Sequence, residues 1–174
     1  FFSIDPSYRG KEGMVATQYS SMHTNPDEKF YIPENVYIIG TMNDIDRSVD
    51  TFDFAMRRRF RFIEVKAEDT QEMLESLENE ELKNEAVKRM DDLNAAILTV
   101  EDLNENYQIG ASYFLKLKHL GNEPFDVLWT DYLKPLLQDY VRGLYDESAI
   151  MKKFAKAYGY EEPDKGKVDE SVQN

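Results

Sequence analysis

Residues 36–65 read VYIIGTMNDIDRSVDTFDFAMRRRFRFIEV, and this stretch decides the fold. Residues 36–42, VYIIGTM, are a near-continuous apolar run that follows the break Pro33-Glu34-Asn35. Such runs mark strands buried on both faces, as in parallel sheets. Residues 60–65, FRFIEV, read as a second strand. Between them, residues 48–59 have helical spacing, with Val49, Phe52 and Met56 on one face. A strand, a helix and a strand in that order predict an α/β sheet.

Upstream, residues 1–4 resemble the end of a buried helix or strand stopped by Asp5-Pro6. Residues 14–20 and 29–32 predict a β-hairpin around the turn composition His23-Thr24-Asn25-Pro26-Asp27. Downstream the character changes near residues 66–69. Asp69-Thr70-Gln71-Glu72 reads as an N-cap with an acidic residue three positions on. Leu74 and Leu77 begin an apolar stripe, and Ala86, Met90, Leu93 and Ile97 continue it at helical spacing. Phe125, Leu128, Trp129, Tyr132, Leu136 and Tyr140 mark another helix, with a kink expected at Pro135. A last helix is expected over 146–158, with Ile150, Phe154 and Ala157 inward and Gly159 as its stop. The fold class expected is thus α/β followed by all-α: an α/β part over 1–67, a helical part over 68–160, and a charged, disordered tail over 161–174.

The chain has 174 residues, is 41% hydrophobic and 13% aromatic, and can bury a core. Its net charge of −13 repels a phosphate backbone, which argues against nucleic-acid binding by this segment. There are no cysteines, which excludes disulfides and thiolate metal sites and fits a reducing cytoplasm. No apolar run approaches the ~20 residues of a membrane span. His23 and His119 stand far apart without ligand-like neighbours, so no metal site is expected. The chain opens Phe1-Phe2-Ser3 without an initiator Met and is expected to be a piece of a longer protein.

Two clusters carry chemistry. The first is Asn43-Asp44-Ile45-Asp46-Arg47-Ser48, directly after the apolar run. Ligands of open α/β sheets sit at the carboxyl ends of strands, where Asn43 is placed to orient a water or touch a terminal phosphate. The same residues also suit a turn and a helix cap at Ser48. The second is Arg57-Arg58-Arg59-Phe60-Arg61. Arginine offers a planar, permanently charged fork that suits phosphate, and arginine fingers stabilise a transferring phosphoryl group. A solvated helix end, where cations complement the dipole, is the other reading.

Taken together, the clusters resemble the McrB family, the AAA+ GTPase subunits of 5-methylcytosine-specific, modification-dependent restriction systems. The family pattern is a strand, Met-Asn-x-x-Asp-Arg-Ser, a helix, then Arg-Arg-Arg-Phe. Met42, Asn43, Asp46, Arg47 and Ser48 match its first part, and Arg57, Arg58, Arg59 and Phe60 its second. Residues 108–114, QIGASYF, resemble Ile-Gly-His-Ser-Tyr-Phe of the family's lid, with Ala111 departing from the histidine. Residues 133–137, LKPLL, followed by Tyr140 resemble its last lid helix.

The resemblance implies a partial AAA+ core of the P-loop NTPase type, followed by a helical lid. It implies that Asn43 places the attacking water, and that Asp46 and Arg47 lie near the nucleotide and the subunit boundary. Arg58 and Arg59 resemble the trans arginine finger and its support, with the choice among Arg57, Arg58 and Arg59 left open. Gly110, Ser112 and Tyr113 resemble lid residues that face the nucleotide. It implies GTP with Mg²⁺ in the intact protein, with ATP as an alternative, and neither for this segment alone. It also implies a homo-oligomeric ring, a hexamer by family likeness, an McrC-type endonuclease partner, and DNA contacted through other domains. No G-x-x-x-x-G-K-[ST] phosphate loop occurs in the sequence, nor an apolar strand ending in Asp-Glu before Asn43. An isolated segment without nucleotide hydrolysis is therefore expected. Two other readings stay open: an ATP-dependent AAA+ motor of MoxR- or dynein-like type, and a non-catalytic protein-binding module.

Overall fold

The computed structural model describes residues 2–22, 24–25, 28–42 and 54–161. The chain divides into two units, Phe1–Ile63 and Glu64–Asn174.

Among the described residues of the first unit, regular structure is limited to single turns. There are 3-10 turns at Phe2–Ile4, Pro6–Tyr8, Lys11–Gly13 and Ser20–Met22, and a short helix α1 at Phe54–Arg57. Asp5 caps the second turn, accepting from the Ser7 N–H at 3.0 Å and the Ser7 hydroxyl at 2.7 Å. The Ser7 hydroxyl is the main reason the Asp5 carboxyl sits below the usual carboxylate range. The Arg9 guanidinium donates to the carbonyls of Ile4 and Val36, which ties the turns to the start of the apolar run.

The expected hairpin is reduced to one antiparallel bridge, Val15 to Phe30, with both hydrogen bonds at 2.9 Å. One further bond runs from the Gly10 N–H to the Ile32 carbonyl at 2.8 Å. Residues 36–42 and 60–65 are not strands here. No ladder joins them, and Ile39 is 92% and Val65 71% exposed. The physical reason is that an apolar run becomes a buried strand only when neighbours pair its edges and layers cover its faces. The described residues supply neither. The start of the helix expected over 48–59 lies outside the described residues, which contribute only α1. The tail expected from residue 161 also lies outside them beyond Glu161.

The second unit holds the buried apolar core, which runs from Leu74 to Tyr158. It contains α2 (Glu80–Ile97), α3 (Ala111–Phe114), α4 (Pro124–Leu128), α5 (Lys134–Val141) and α6 (Glu147–Tyr158), with a 3-10 segment at Glu68–Ser76. Asn79 opens α2, its side chain accepting from the Leu82 N–H at 3.0 Å. The cap expected at Asp69 acts the other way: its carboxylate accepts from the Lys66 N–H, 2.9 Å away and upstream. Ala86, Met90, Leu93 and Ile97 are each 0% exposed, so the helical spacing marked the inward stripe of α2, which packs against α6.

The kink expected at Pro135 takes the form of a π turn at Trp129–Leu133, closed by the Lys134 N–H on the Trp129 carbonyl. Proline lacks an N–H and its ring crowds the carbonyl four residues back, so a wide turn just before it relieves both problems. A π turn also adds one residue to the helical register. The inward stripe after Trp129 is therefore Leu133, Leu137 and Val141, not Tyr132, Leu136 and Tyr140. Tyr132 is 37% exposed, and Leu136 and Tyr140 pack at the margin of the core.

Asp146 caps α6 from a left-handed conformation. Its other end closes as expected at Gly159, φ +79°, with the Gly159 N–H on the Lys156 carbonyl at 3.1 Å and the Tyr160 N–H on the Ala155 carbonyl at 2.9 Å. Trp129 then lies stacked on Tyr158, centroids 5.0 Å apart, and on Tyr160 at 5.7 Å. The Tyr158 hydroxyl, inside this cluster, donates to the Phe125 carbonyl at 2.9 Å.

Candidate functional site

Asn43, Asp46 and Arg47 lie outside the described residues. The arginines of the first unit differ from one another. The Arg59 guanidinium folds back onto the Ala55 carbonyl of its own turn. Arg57 lies over the Phe62 ring, 5.3 Å from its centroid. Arg58 is exposed, and its side chain has no partner among the described residues. Of the three, Arg58 presents the fork that is free to meet an anion.

In the second unit, residues 108–114 are set by two side chains from elsewhere in the sequence. Asn94, on the inward side of α2 and 6% exposed, binds both backbone groups of Ile109. Its Oδ1 accepts from the Ile109 N–H at 2.7 Å and its Nδ2 donates to the Ile109 carbonyl at 2.9 Å. Thr70 Oγ1 accepts from the Ala111 N–H at 2.9 Å and donates to the Ala67 carbonyl at 2.6 Å. The Ile109 and Phe114 side chains are buried at 1% and 0% exposure. The loop is thus bolted to the core at both ends, while Ser112 faces solvent and Gly110 and Tyr113 are half-buried.

Gly110 has ordinary extended backbone, φ −82° and ψ 162°. A Cβ added there would meet only Thr70 Oγ1, at 3.5 Å. Neither backbone conformation nor packing within the described chain demands glycine at this position. Ala111 is 0% exposed, so its methyl belongs to the core.

Tyr107 and Tyr140 stand beside the loop, near its own Tyr113. Tyr107 meets Tyr140 edge-on, centroids 5.1 Å apart. Burial first, then the neighbouring Tyr113 and Tyr107 phenols, push the Tyr140 hydroxyl up to about 12. Tyr140 thus stays neutral at ordinary pH, and the three residues offer hydroxyl groups and ring edges to a neighbour.

Sequence reading missed Asn94 and Thr70. Asn94 left a signal: it falls between Met90 and Ile97, next to Leu93, where a purely apolar stripe was expected. Thr70 left none, because its partner lies 41 positions away. Among the described residues no group of three or more His, Cys, Asp or Glu is arranged to hold a metal ion. No helix among them is long and apolar enough to cross a membrane.

The family model described as McrB, alpha-helical lid domain, matches residues 85–149. That span holds Asn94, the loop at 108–114, the π turn and Tyr140. The Type IV methyl-directed restriction enzyme EcoKMcrB subunit of Escherichia coli (strain K12) is 37% identical over 143 residues. The chain belongs to the McrB family. The alignment takes in 76% of this chain but only 30% of that relative, so the chain spans under a third of the McrB protein it matches. The matched span lies within the second unit, which carries the packed helical core and the Asn94 clamp on α2.

Proposed function

We propose that this chain is the sensor, arginine and lid part of a GTP-hydrolysing AAA+ ring subunit that drives a modification-dependent restriction endonuclease. Family membership and the relative's description as a methyl-directed restriction enzyme subunit support the restriction role. The observation that carries the nucleotide reading is the loop at 108–114. It is rigid from within through Asn94 and Thr70, exposed at Ser112, and has room for a Cβ at the half-buried Gly110. A glycine that the chain itself does not require suits a backbone that something else must approach closely.

In this reading the partial α/β core completes a sheet with other parts of the intact protein. The exposed apolar runs at 36–42 and 60–65 support that, since such surface is costly in water and suited to pairing. Asn43 orients the attacking water. Arg58 reaches a neighbouring subunit's nucleotide and offsets the charge of the transferring phosphoryl group. Gly110, Ser112 and Tyr113 face the nucleotide from the lid, and Asp46 and Arg47 line the subunit boundary. The Mg²⁺ that accompanies GTP would be held by other parts of the protein, as would DNA. An McrC-type endonuclease is the partner.

Calorimetry and turnover assays test this. The full-length protein is expected to bind and hydrolyse GTP in preference to ATP, and the 174-residue chain to bind neither more tightly than roughly 10 μM. A full-length protein that hydrolyses only ATP, or neither nucleotide, overturns the reading.

A further inference from the structure

The proposed nucleotide-facing loop is joined to the place where the chain passes from one unit to the other. The units divide between Ile63 and Glu64. The residues just after that division are held by the turn bonds from the Asp69 N–H to the Lys66 carbonyl at 3.2 Å and from the Thr70 N–H to the Ala67 carbonyl at 3.1 Å, and by side chains besides. The Lys66 N–H donates to Asp69 Oδ2 at 2.9 Å. The Lys66 ammonium pairs with Glu105, just before the loop, at 3.6 Å. The Ala67 carbonyl accepts from the Thr70 hydroxyl at 2.6 Å, and Thr70 Oγ1 itself accepts from the Ala111 N–H at 2.9 Å.

Thr70 is the shared element. A hydroxyl has one proton to give and lone pairs to receive, and here it uses both kinds of capacity at once. It therefore forms a two-bond relay from the amide beside Gly110 to a carbonyl of the connector. The Lys66–Glu105 pair is exposed on both sides, 42% and 64%, so it contributes little rigidity. The half-buried hydroxyl carries the coupling. The turn bond to Ala67 alone would be an ordinary local feature of threonine. The bond to Ala111, 41 residues on, is not local and gives the turn a distant input.

We propose that Thr70 is a positioning residue that couples ligand contact at residues 110–113 to the connector at residues 66–70. This rests on the reading of that loop as nucleotide-facing. When a ligand draws the Gly110–Ala111 backbone towards it, the Thr70 hydroxyl moves with the Ala111 amide and carries the Ala67 carbonyl along. The lid thus responds to nucleotide at the point where it joins the rest of the protein. Serine keeps both bonds. Valine, of the same shape, keeps neither.

The test is amide hydrogen exchange and steady-state turnover of the full-length protein with Mg²⁺ and a non-hydrolysable GTP analogue, and with GTP. In the unaltered protein and in Thr70→Ser, the analogue is expected to slow exchange at residues 110–113 and at 66–70 together. In Thr70→Val, the slowing at 110–113 is expected to persist while that at 66–70 is lost. Its kcat is expected to fall about tenfold with KM within about twofold, the pattern of a lost positioning contact rather than lost binding. Nucleotide-dependent slowing at 110–113 without any at 66–70 in the unaltered protein overturns the relay, whatever the variants do. So does a Thr70→Val protein that keeps the slowing at 66–70 and unaltered kcat. No slowing at 110–113 in the unaltered protein sinks the nucleotide-facing reading itself, and the relay with it.

Discussion

Asn94 stands to Ile109 as a neighbouring strand would: its side-chain amide closes both hydrogen bonds of one residue's backbone, at 2.7 and 2.9 Å. The pair is buried, so water does not replace either bond when the amide is removed.

Asn94→Leu is therefore expected to lower the stability of the 174-residue chain by about 1–3 kcal/mol for each backbone group left bare. Asn84→Ala, an exposed change on the same helix, is expected to stay within about 0.5 kcal/mol. Urea denaturation of the three proteins checks this. Equal midpoints for Asn94→Leu and the unaltered chain would show that the clamp is not formed.

The π turn sets a second expectation. Leu133→Ala and Leu137→Ala are each expected to cost about 2–5 kcal/mol, as buried leucines do. Tyr132→Ala and Leu136→Ala should cost less, since Tyr132 is 37% exposed and Leu136 lies at the core margin. Thermal unfolding of the four variants decides the register. Larger losses at 132 and 136 would restore the uninterrupted helix and remove the π turn.

Alkaline pH gives a third. Tyr140 is raised to about 12, mainly by burial, and burial also raises Tyr158. The folded state thus keeps protons that the unfolded state releases near 10. The stability that these neutral phenols contribute is complete below pH 10 and is lost as pH rises through 12. Unfolding free energy measured from pH 8 to 12 should fall along that limb. Tyr140→Phe should make the fall shallower; an unchanged limb would place Tyr140 in water.

Two glycines make opposite predictions. Gly159 has φ +79°, and an added Cβ would meet only ordinary contacts with Arg89, the nearest at 3.6 Å. Gly159→Ala should cost about 1–2 kcal/mol for backbone strain alone. Gly110, at φ −82°, should accept alanine within about 0.5 kcal/mol. Yet, if the lid loop faces nucleotide as proposed, Gly110→Ala should impair nucleotide turnover of the full-length protein, because the added methyl would fill space proposed for the ligand. Denaturation and GTP assays on the same variants separate the effects. A full-length Gly110→Ala protein with unaltered turnover would remove the reason given for that glycine.

The helical half was legible because its helices bury one face against one another. That burial leaves a 3.6-residue spacing in the sequence, as at Ala86, Met90, Leu93 and Ile97, and a left-handed stop at Gly159. The register after Trp129 was not legible, since the π turn answers Pro135 by inserting a residue that periodicity cannot anticipate. The Thr70 bond to Ala111 was not legible either, because it joins distant positions by one hydroxyl. The apolar runs at 36–42 and 60–65 spoke of a sheet, and the described residues contain no partner for either. Of the candidate site, the loop at 108–114 and the arginine run stood out in the sequence. Arg57 lies over Phe62 and Arg59 folds onto Ala55, contacts that residue spacing does not reveal.

In the proposed ring, Asn43 serves its own subunit's nucleotide and Arg58 serves a neighbour's. The direct measurement is GTP turnover of full-length Asn43→Ala and Arg58→Ala proteins, alone and mixed. Each alone should lose nearly all turnover while still binding GTP, because each acts chiefly in the transition state. In mixed rings, a subunit with its own Asn43 meets a neighbour with its own Arg58 at roughly a quarter of the boundaries under random head-to-tail assembly. Turnover should recover to about that fraction. Mixtures no more active than the separate variants would contradict the account, and would place Arg58 in its own subunit's site or outside the chemistry altogether.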